Sequence, residues 1–81
     1  MANRPTREEV LRLQKEAVRL DEAFHAECVR QFGAVQAGTM RYLNAKHDER
    51  TAAARDAYQK ASEAWRVAFR TRNAVEALQY A

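Results

Sequence analysis

The sequence has very little of the residues that make turns and cross-links: two glycines, one proline and one cysteine among 81 residues. Folds built from strands and tight turns need more glycine and proline than this, whereas long helices do not. The single Cys28 excludes an intrachain disulfide and is compatible with a reducing compartment. A chain of this length buries only about 60% of its unfolded surface, so we expect it to rely on partners for stability.

The motifs of common enzyme and cofactor sites are also missing from the sequence. It contains no Walker loop and no GxGxxG, CxxC, HExxH or GxSxG pattern. Two glycines cannot build a phosphate-binding loop. The fold predicted below, a helical hairpin, offers no concave pocket of its own. We therefore expect neither an enzyme nor a bound cofactor.

Long apolar runs and blocks of one charge are absent as well. No segment approaches the ~20 apolar residues that span a bilayer, and the N-terminal MANRPTREEV lacks the apolar core of a signal peptide. The formal charge is +3, and acidic side chains are interleaved with the basic ones. These features predict a cytoplasmic protein with a mixed, solvated surface and no membrane segment.

Helical periodicity is present through both halves of the chain. Apolar residues recur at spacings of three and four from Val10 to Val35, and the same face continues through Tyr42 and Leu43. We therefore predict a tail over residues 1–6, a helix over about 7–43, a turn over about 44–48 and a second helix over about 49–80.

Residues able to cap helices stand at the predicted boundaries. Thr6 can form a capping box with Glu9, and Asn44 and Asp48 are candidate N-caps for the second helix. Two alternatives stay open: a break over residues 33–38, where each of two glycines costs about 1 kcal/mol inside a helix, and a fold of three helices.

Small residues organise the second helix. Its alanines recur at spacings of three and four, which lets another helix approach closely: Ala54, Ala57, Ala61, Ala64 and Ala68. In a hairpin with its turn near residue 46, Phe24 faces Ala68 and Cys28 faces Ala64, so large side chains meet small ones. The predicted fold is therefore all-α, a long antiparallel helical hairpin with coiled-coil-like packing.

The apolar arc on each helix is wider than one partner helix can cover. Val18 on the first helix and Val67 on the second lie outside the seam. A second hairpin is the usual way to bury such arcs, so we predict a homodimeric four-helix bundle. The residues predicted to pack within the hairpin or the dimer are Val18, Phe24, Cys28, Ala57, Ala64 and Val67.

Three polar residues on one face of the first helix raise the question of a metal or thiol site. Asp21, His25 and Cys28 follow one another at spacings of four and three. A structural zinc ion needs four ligands and one chain supplies only two good ones, so we favour a structural role and predict no metal site. Asp21 is expected to pair with Arg72 across the hairpin.

Arginine and aromatic residues cluster in the C-terminal third of the chain. Such side chains carry much of the binding energy at protein interfaces. The predicted partner-binding residues are Trp65, Arg66, Arg70, Asn73 and Tyr80. These features favour a protein–protein interaction module, such as a small helical adaptor, inhibitor or regulator. The alternative is a nucleic-acid-binding regulator that uses an arginine-rich helical face, although Glu63 and Glu76 dilute the positive charge there.

Overall fold

Two long helices, packed side by side and antiparallel, form the body of the protein. In the computed structural model, α1 spans Arg7–Phe32 and α3 spans Glu49–Tyr80, and a short α2, Ala37–Met40, lies in the loop between them. The loop also contains one 3-10 turn, Asn44–Lys46. The three α-helices contain 26, 4 and 32 residues, and the described residues include no strand. The prediction of an all-α helical hairpin is confirmed.

The structure describes the backbone of residues 4–80 and the side chains of residues 4–74. At the open end of the hairpin, where the start of α1 lies beside the far part of α3, the Arg72 guanidinium donates to the Pro5 carbonyl at 3.3 Å. The molecule measures 49 × 20 × 18 Å. Neither long helix, over the residues described, is apolar enough to cross a membrane.

Both long helices begin where the sequence places a capping residue. The Glu9 backbone N–H donates to the Thr6 hydroxyl at 3.0 Å, which is the first half of the predicted capping box. The Thr51 backbone N–H donates to the Asp48 carboxylate at 2.9 Å. Asp48 is therefore the N-cap of α3.

The end of α1 differs from the prediction. The helix stops at Phe32 instead of continuing to about residue 43, so the predicted end of α1 is wrong. The chain breaks at Gly33, the first residue of the alternative break, but Gly38 lies in the short helix α2. Gly33 has φ 88° and ψ 157°, a backbone conformation that is almost restricted to glycine. Its N–H donates to the Val29 carbonyl at 2.9 Å and closes the last turn.

Burial explains why the chain turns back at this point. The apolar residues that predicted a continued helix are exposed to solvent, since Tyr42 is 77% exposed and Leu43 is 46% exposed. The loop instead buries Ala37 completely against Phe24 and Cys28. A straight continuation of α1 would have left this end of the core open to solvent.

The helices meet in a different register from the one predicted. Phe24 packs on Ala54 and Tyr58 rather than on Ala68, so its partner lies fourteen residues, two heptads, earlier in α3. A shift by whole heptads brings the same helix faces together at a different height. The predicted pairing of Cys28 with Ala64 is wrong for the same reason. The fully or nearly buried side chains are Val10, Ala17, Phe24, Cys28, Ala37, Thr51 and Ala68.

Candidate functional site

The closed end of the hairpin, defined here as residues 33–48 with the helix ends that they join, is held by polar side chains. The Gln31 amide donates to the Lys46 carbonyl at 2.8 Å, and its oxygen accepts from the Asp48 backbone N–H at 3.0 Å. Arg30 donates to both carboxylate oxygens of Asp48, at 2.7 and 2.9 Å. These bonds fix where α3 starts relative to the end of α1.

Glu27 ties the same two helices together one turn away from these bonds. Its carboxylate accepts from Arg50 on α3 at 2.8 Å and from Arg30 on its own helix. The hydrogen bond from Arg30, supported by the one from Arg50, lowers the pKa of Glu27. The two arginines therefore favour the ionised, paired form of this carboxylate.

Arg41 anchors the loop onto the aromatic residues of the core. Its guanidinium carbon lies 5.0 Å from the ring centre of Phe24 and 5.8 Å from that of Tyr58. The same guanidinium donates to the Asp21 carboxylate. The predicted ion pair of Asp21 with Arg72 is therefore wrong, because the loop brings Arg41 to Asp21 and Arg72 lies at the other end of the molecule.

His47 joins three parts of the closed end. Its ring lies edge-on to Phe24, with the centroids 5.6 Å apart. The Arg55 guanidinium is 3.0 Å from Nδ1, and a guanidinium can only donate, so Nδ1 is the acceptor. The proton of the neutral ring is then on Nε2, which donates to the Met40 carbonyl at 2.8 Å.

The closed end does not assemble a metal or thiol site from Asp21, His25 and Cys28. Cys28 is completely buried, His25 is exposed, and Asp21 is bound to Arg41. Burial raises the pKa of the Cys28 thiol, which keeps it protonated and unreactive. No three His, Cys, Asp or Glu side chains in the described part of the chain are arranged to hold a metal ion.

A groove, called here the Trp65 groove, runs along one flank of the seam between α1 and α3. It consists of two adjoining cavities that share Gln14 and Trp65. The outer cavity, at the open end, has a volume of about 340 Å³ and is lined by Arg7, Val10, Leu11, Gln14, Trp65, Phe69, Arg72 and Asn73. The inner cavity, of about 160 Å³, adds Ala17, Val18, Asp21, Tyr58 and Ser62.

The Trp65 groove combines an apolar floor with a basic rim. Leu11, Val18 and Phe69 are each about half exposed although they are large apolar side chains. Arg7 and Arg72 line the outer cavity, and its other lining residues within the described part of the chain carry no charge. The arrangement can bury an apolar group beside a basic rim.

Trp65 forms the centre of the groove. Its indole packs against Phe69, with the ring centroids 5.8 Å apart. The Nε1 atom is buried and finds no acceptor within the part of the chain that the structure describes. A buried donor left without an acceptor costs about 1–3 kcal/mol.

The opposite flank of the seam, called here the alanine flank, has a different character. Its cavity of about 360 Å³ is lined by Leu13, Glu16, Leu20, Ala57, Lys60, Ala61 and Ala64. Leu13 and Gln14 are successive residues and therefore point about 100° apart around α1, as do Ala57 and Tyr58 around α3. The two flanks thus lie on opposite sides of the hairpin.

The structure separates the four predicted partner-binding residues whose side chains it describes. Trp65 and Asn73 line the outer cavity of the Trp65 groove. Arg66 and Arg70 are exposed on the outer side of α3, where both approach Glu63, at 3.1 and 3.8 Å. The side chain of Tyr80 lies outside the described residues. The role of these residues in binding stays a prediction.

The predicted packing residues are divided as well. Phe24 and Cys28 are buried inside the hairpin. Val18 lines the Trp65 groove, whereas Ala57 and Ala64 line the alanine flank. Val67 is 47% exposed and lies on the alanine-flank side of α3, since it is about 60° from Ala64 around that helix. Val18 and Val67 therefore lie on opposite flanks of the hairpin, and their role in packing stays a prediction.

Sequence reasoning overlooked the contribution of α1 to the groove. Arg7, Leu11, Gln14 and Val18 follow one another at spacings of four, three and four, which places them on one face of the helix. This pattern is visible in the sequence. It carries no functional meaning until the register shows that Trp65 and Phe69 stand opposite.

Comparison of the chain with protein-family models, with curated proteins and with solved structures gives no match.

Proposed function

We propose that this protein is a non-enzymatic protein–protein interaction module, a small helical adaptor, inhibitor or regulator that presents a helical surface to a protein partner. The Trp65 groove carries the proposal. It places an aromatic pair, Trp65 and Phe69, beside exposed aliphatic side chains and two arginines. Aromatic residues and arginine are the side chains that are enriched at binding hot spots.

The exposed apolar side chains support a macromolecular partner rather than a small molecule. Leu11 and Val18 stand two turns apart along α1, and both are about half exposed. Burying a large apolar side chain stabilises a complex by about 1.5–3 kcal/mol, and a contact along two turns can use several of them. A shallow groove between helices suits a protein segment that lies along it.

The arginines outside the groove give less support to nucleic-acid binding. Arg30, Arg41, Arg66 and Arg70 lie in ion pairs with carboxylates of the same chain. Paired arginines release fewer counterions from a phosphate backbone than unpaired ones would. The proposal therefore keeps a protein as the partner.

We also propose that two hairpins associate through their alanine flanks into a dimeric four-helix bundle. Small side chains at Ala57 and Ala64 allow close approach of a second helix pair, and Leu13 and Leu20 supply apolar area. Changing Val67 to Glu is expected to shift the protein toward monomer, because the charge would be buried between the hairpins. Changing Val18 to Glu, on the opposite flank, is the matched control for sedimentation analysis, and a larger effect of that change would contradict the assignment.

The proposed compartment is the cytoplasm. Cys28 is completely buried and protonated, so it needs neither a disulfide partner nor a metal ion to be stable there. A reducing environment keeps such a thiol free.

Site-specific photo-crosslinking in cells tests the interaction. A photoreactive phenylalanine analogue in place of Phe69, inside the groove, is expected to give protein adducts that mass spectrometry can identify. The same analogue in place of Val35, which is 99% exposed on the loop, is the matched control and is expected to give none. Adducts only from position 35, or adducts with nucleic acid, would contradict the proposal.

Calorimetry with the partner so identified gives the second test. Phe69→Ser is expected to weaken binding at least about tenfold, which corresponds to about 1.4 kcal/mol, while Val35→Ser leaves the affinity unchanged. If Phe69→Ser has no effect on affinity, the partner binds elsewhere on the hairpin.

A further inference from the structure

We infer that the closed end of the hairpin carries a binding site for a nucleobase, at the place where the loop covers Phe24. The site is a cavity of about 290 Å³, called here the loop cavity. It shares only Tyr58 with the lining of the Trp65 groove, and the inference goes beyond the proposed function. The side chains that line it are all described: Phe24, Arg41, Tyr42, Asn44, Tyr58 and Gln59.

The size and polarity of the loop cavity suit a small ligand that forms hydrogen bonds. Sites for small molecules usually measure about 300–1,000 Å³, so this cavity lies at the lower limit and fits one ring system. Polar atoms contribute more to its lining than to the linings of the Trp65 groove and the alanine flank. A purely apolar ligand would leave those polar atoms without partners, which costs free energy.

Arg41 forms a flat wall of the loop cavity without making it an anion site. Its guanidinium carbon lies 5.0 Å from the ring centre of Phe24 and 5.8 Å from that of Tyr42. The same guanidinium donates to the Asp21 carboxylate, which balances its charge. An anion would have to compete with Asp21, and a cation would meet the positive charge of Arg41. These contacts favour a neutral ligand.

Tyr42 offers an aromatic face for stacking beside this wall. The residue is 77% exposed, whereas Phe24 is buried. Aromatic rings and guanidinium planes are the groups on which proteins stack unpaired nucleobases. Because Tyr42 lines the cavity, a base stacked on its ring can direct its edge toward the other lining residues. A flat, neutral ring is therefore the shape that the cavity accepts.

Asn44 and Gln59 supply the hydrogen-bonding groups that the edge of a base requires. Neither side-chain amide forms a hydrogen bond within the described part of the chain. The backbone of Asn44 is fixed in the 3-10 turn, where its carbonyl accepts from the His47 N–H at 3.1 Å. An amide presents one donor beside one acceptor, which matches the N6 amino group and the N7 atom of adenine. The site therefore favours adenine among the nucleobases.

NMR titration of the whole protein tests the site, because the side-chain amide signals of Asn44 and Gln59 report on it directly. The first probe is adenosine, which is expected to shift both pairs of amide signals. The second is N6,N6-dimethyladenosine, which keeps the ring and lacks the N6 donors. It is expected to bind at least about fivefold more weakly than adenosine. Equal binding of the two probes would overturn the role assigned to the amides.

Changing the stacking residue gives the matched pair of variants. Tyr42→Ala is expected to weaken adenosine binding at least about fivefold, because the base loses its aromatic platform. Leu43→Ala is the control, since Leu43 is the next residue, is about half exposed and does not line the cavity. It is expected to leave the affinity unchanged. Both residues are exposed, so circular dichroism is expected to show the same helical content for the two variants.

A third probe, single-stranded octaadenylate, identifies the source of the base. The same affinity per base as adenosine would indicate a free nucleoside or nucleotide. Tighter binding that weakens steeply with salt would indicate a nucleic-acid strand, and both results support the site. Signal shifts that Tyr42→Ala leaves unchanged, or no shift with any probe, would overturn the inference. The crosslinks from position 69 test the protein partner independently of all these outcomes.

Discussion

The closed and open ends of the hairpin use arginine and aromatic residues in opposite ways. At the closed end, Arg41 lies over Phe24 and Tyr58 and pairs with Asp21, so these groups stabilise one another. At the open end, Phe69 is about half exposed and the Trp65 Nε1 atom has no acceptor among the described residues. Similar residue types therefore stabilise the fold at the closed end and form an exposed surface at the open end.

The comparison shows what decides the role of such residues in a small helical protein. At the closed end, the loop that returns to the hairpin supplies partners to Gln31, Arg30 and Asp21. At the open end, the apolar side chains of Leu11 and Phe69 stay about half exposed. Stability should depend on the closed end, and recognition of the protein partner should depend on the open end.

The largest expected effect is on the core of the closed end. Phe24→Ala removes the ring on which Arg41, His47 and Tyr58 pack, and it is expected to lower the free energy of unfolding by about 3 kcal/mol or more. Phe69→Ala at the open end is the matched change and is expected to cost less than about 1 kcal/mol. Urea unfolding followed by circular dichroism compares them; similar losses would contradict the division of roles.

A smaller effect is expected at the turn that ends α1. Gly33→Ala forces an alanine into a backbone region that it rarely adopts, and it is expected to cost about 1–3 kcal/mol even though no atom lies within 4 Å of the added methyl group. Gly38→Ala also meets no atom within 4 Å, but Gly38 is helical, so this control is expected to be neutral or slightly stabilising. Thermal melts compare the stability of the two variants. An unchanged melting temperature for Gly33→Ala would show that the loop has another conformation.

The acid sensitivity of the closed end is a third, weaker test. The Thr51 backbone N–H and Arg30 lower the pKa of Asp48 from 3.8 to about 2. A carboxylate whose pKa is lower in the folded protein contributes stability that is complete above the unfolded value and is lost as the pH falls toward about 2. Asp48→Asn is therefore expected to flatten the decline of stability between about pH 4 and pH 2.

The control for this measurement is Asp56→Asn, which removes an exposed carboxylate paired with its neighbour Arg55. Melting temperatures measured at steps between neutral pH and pH 2 give the comparison. Equal slopes for Asp48→Asn and the unchanged protein would exclude this group as a source of acid sensitivity.

The smallest effect on stability is expected on the outer side of α3. Arg66 and Arg70 are exposed and share Glu63, so changing both to alanine should alter the free energy of unfolding by only about 0.5 kcal/mol. The same double change is expected to weaken partner binding at least about tenfold if these residues extend the contact beyond the groove. Calorimetry beside a thermal melt measures both quantities, and unchanged affinity would confine the interface to the Trp65 groove.

The sequence was sufficient to predict two long antiparallel helices and the capping residues Thr6 and Asp48. These features depend on spacing and on local hydrogen bonds, which a sequence displays directly. Spacing also misled, since the stripe through Tyr42 and Leu43 matched a continued helix by chance. A glycine in a helix costs only about 1 kcal/mol, and this cost did not predict where α1 ends. The end of α1 depends on the core that the loop covers, which the sequence does not display.

The composition of the candidate site could be predicted only in part for a related reason. Trp65 and Asn73 were identified from α3 alone, whereas Arg7, Leu11 and Gln14 required the register. Register in this hairpin depends on Arg41, Gln31 and His47, whose partners lie between 7 and 20 residues away in the chain. No periodic pattern encodes contacts of this kind.

The seam between α1 and α3 repeats every heptad, so it specifies which faces meet but not at what height. A slide by one heptad would move α3 about 10 Å along α1 and still present alanine to the large residues of α1. The bonds of Gln31 and Arg30 to the region around Asp48 exclude that slide. The loop thereby serves as a ruler: its length and its anchoring bonds determine which residues of α1 stand opposite Trp65, about 25 Å away along α3, and hence what the groove can bind.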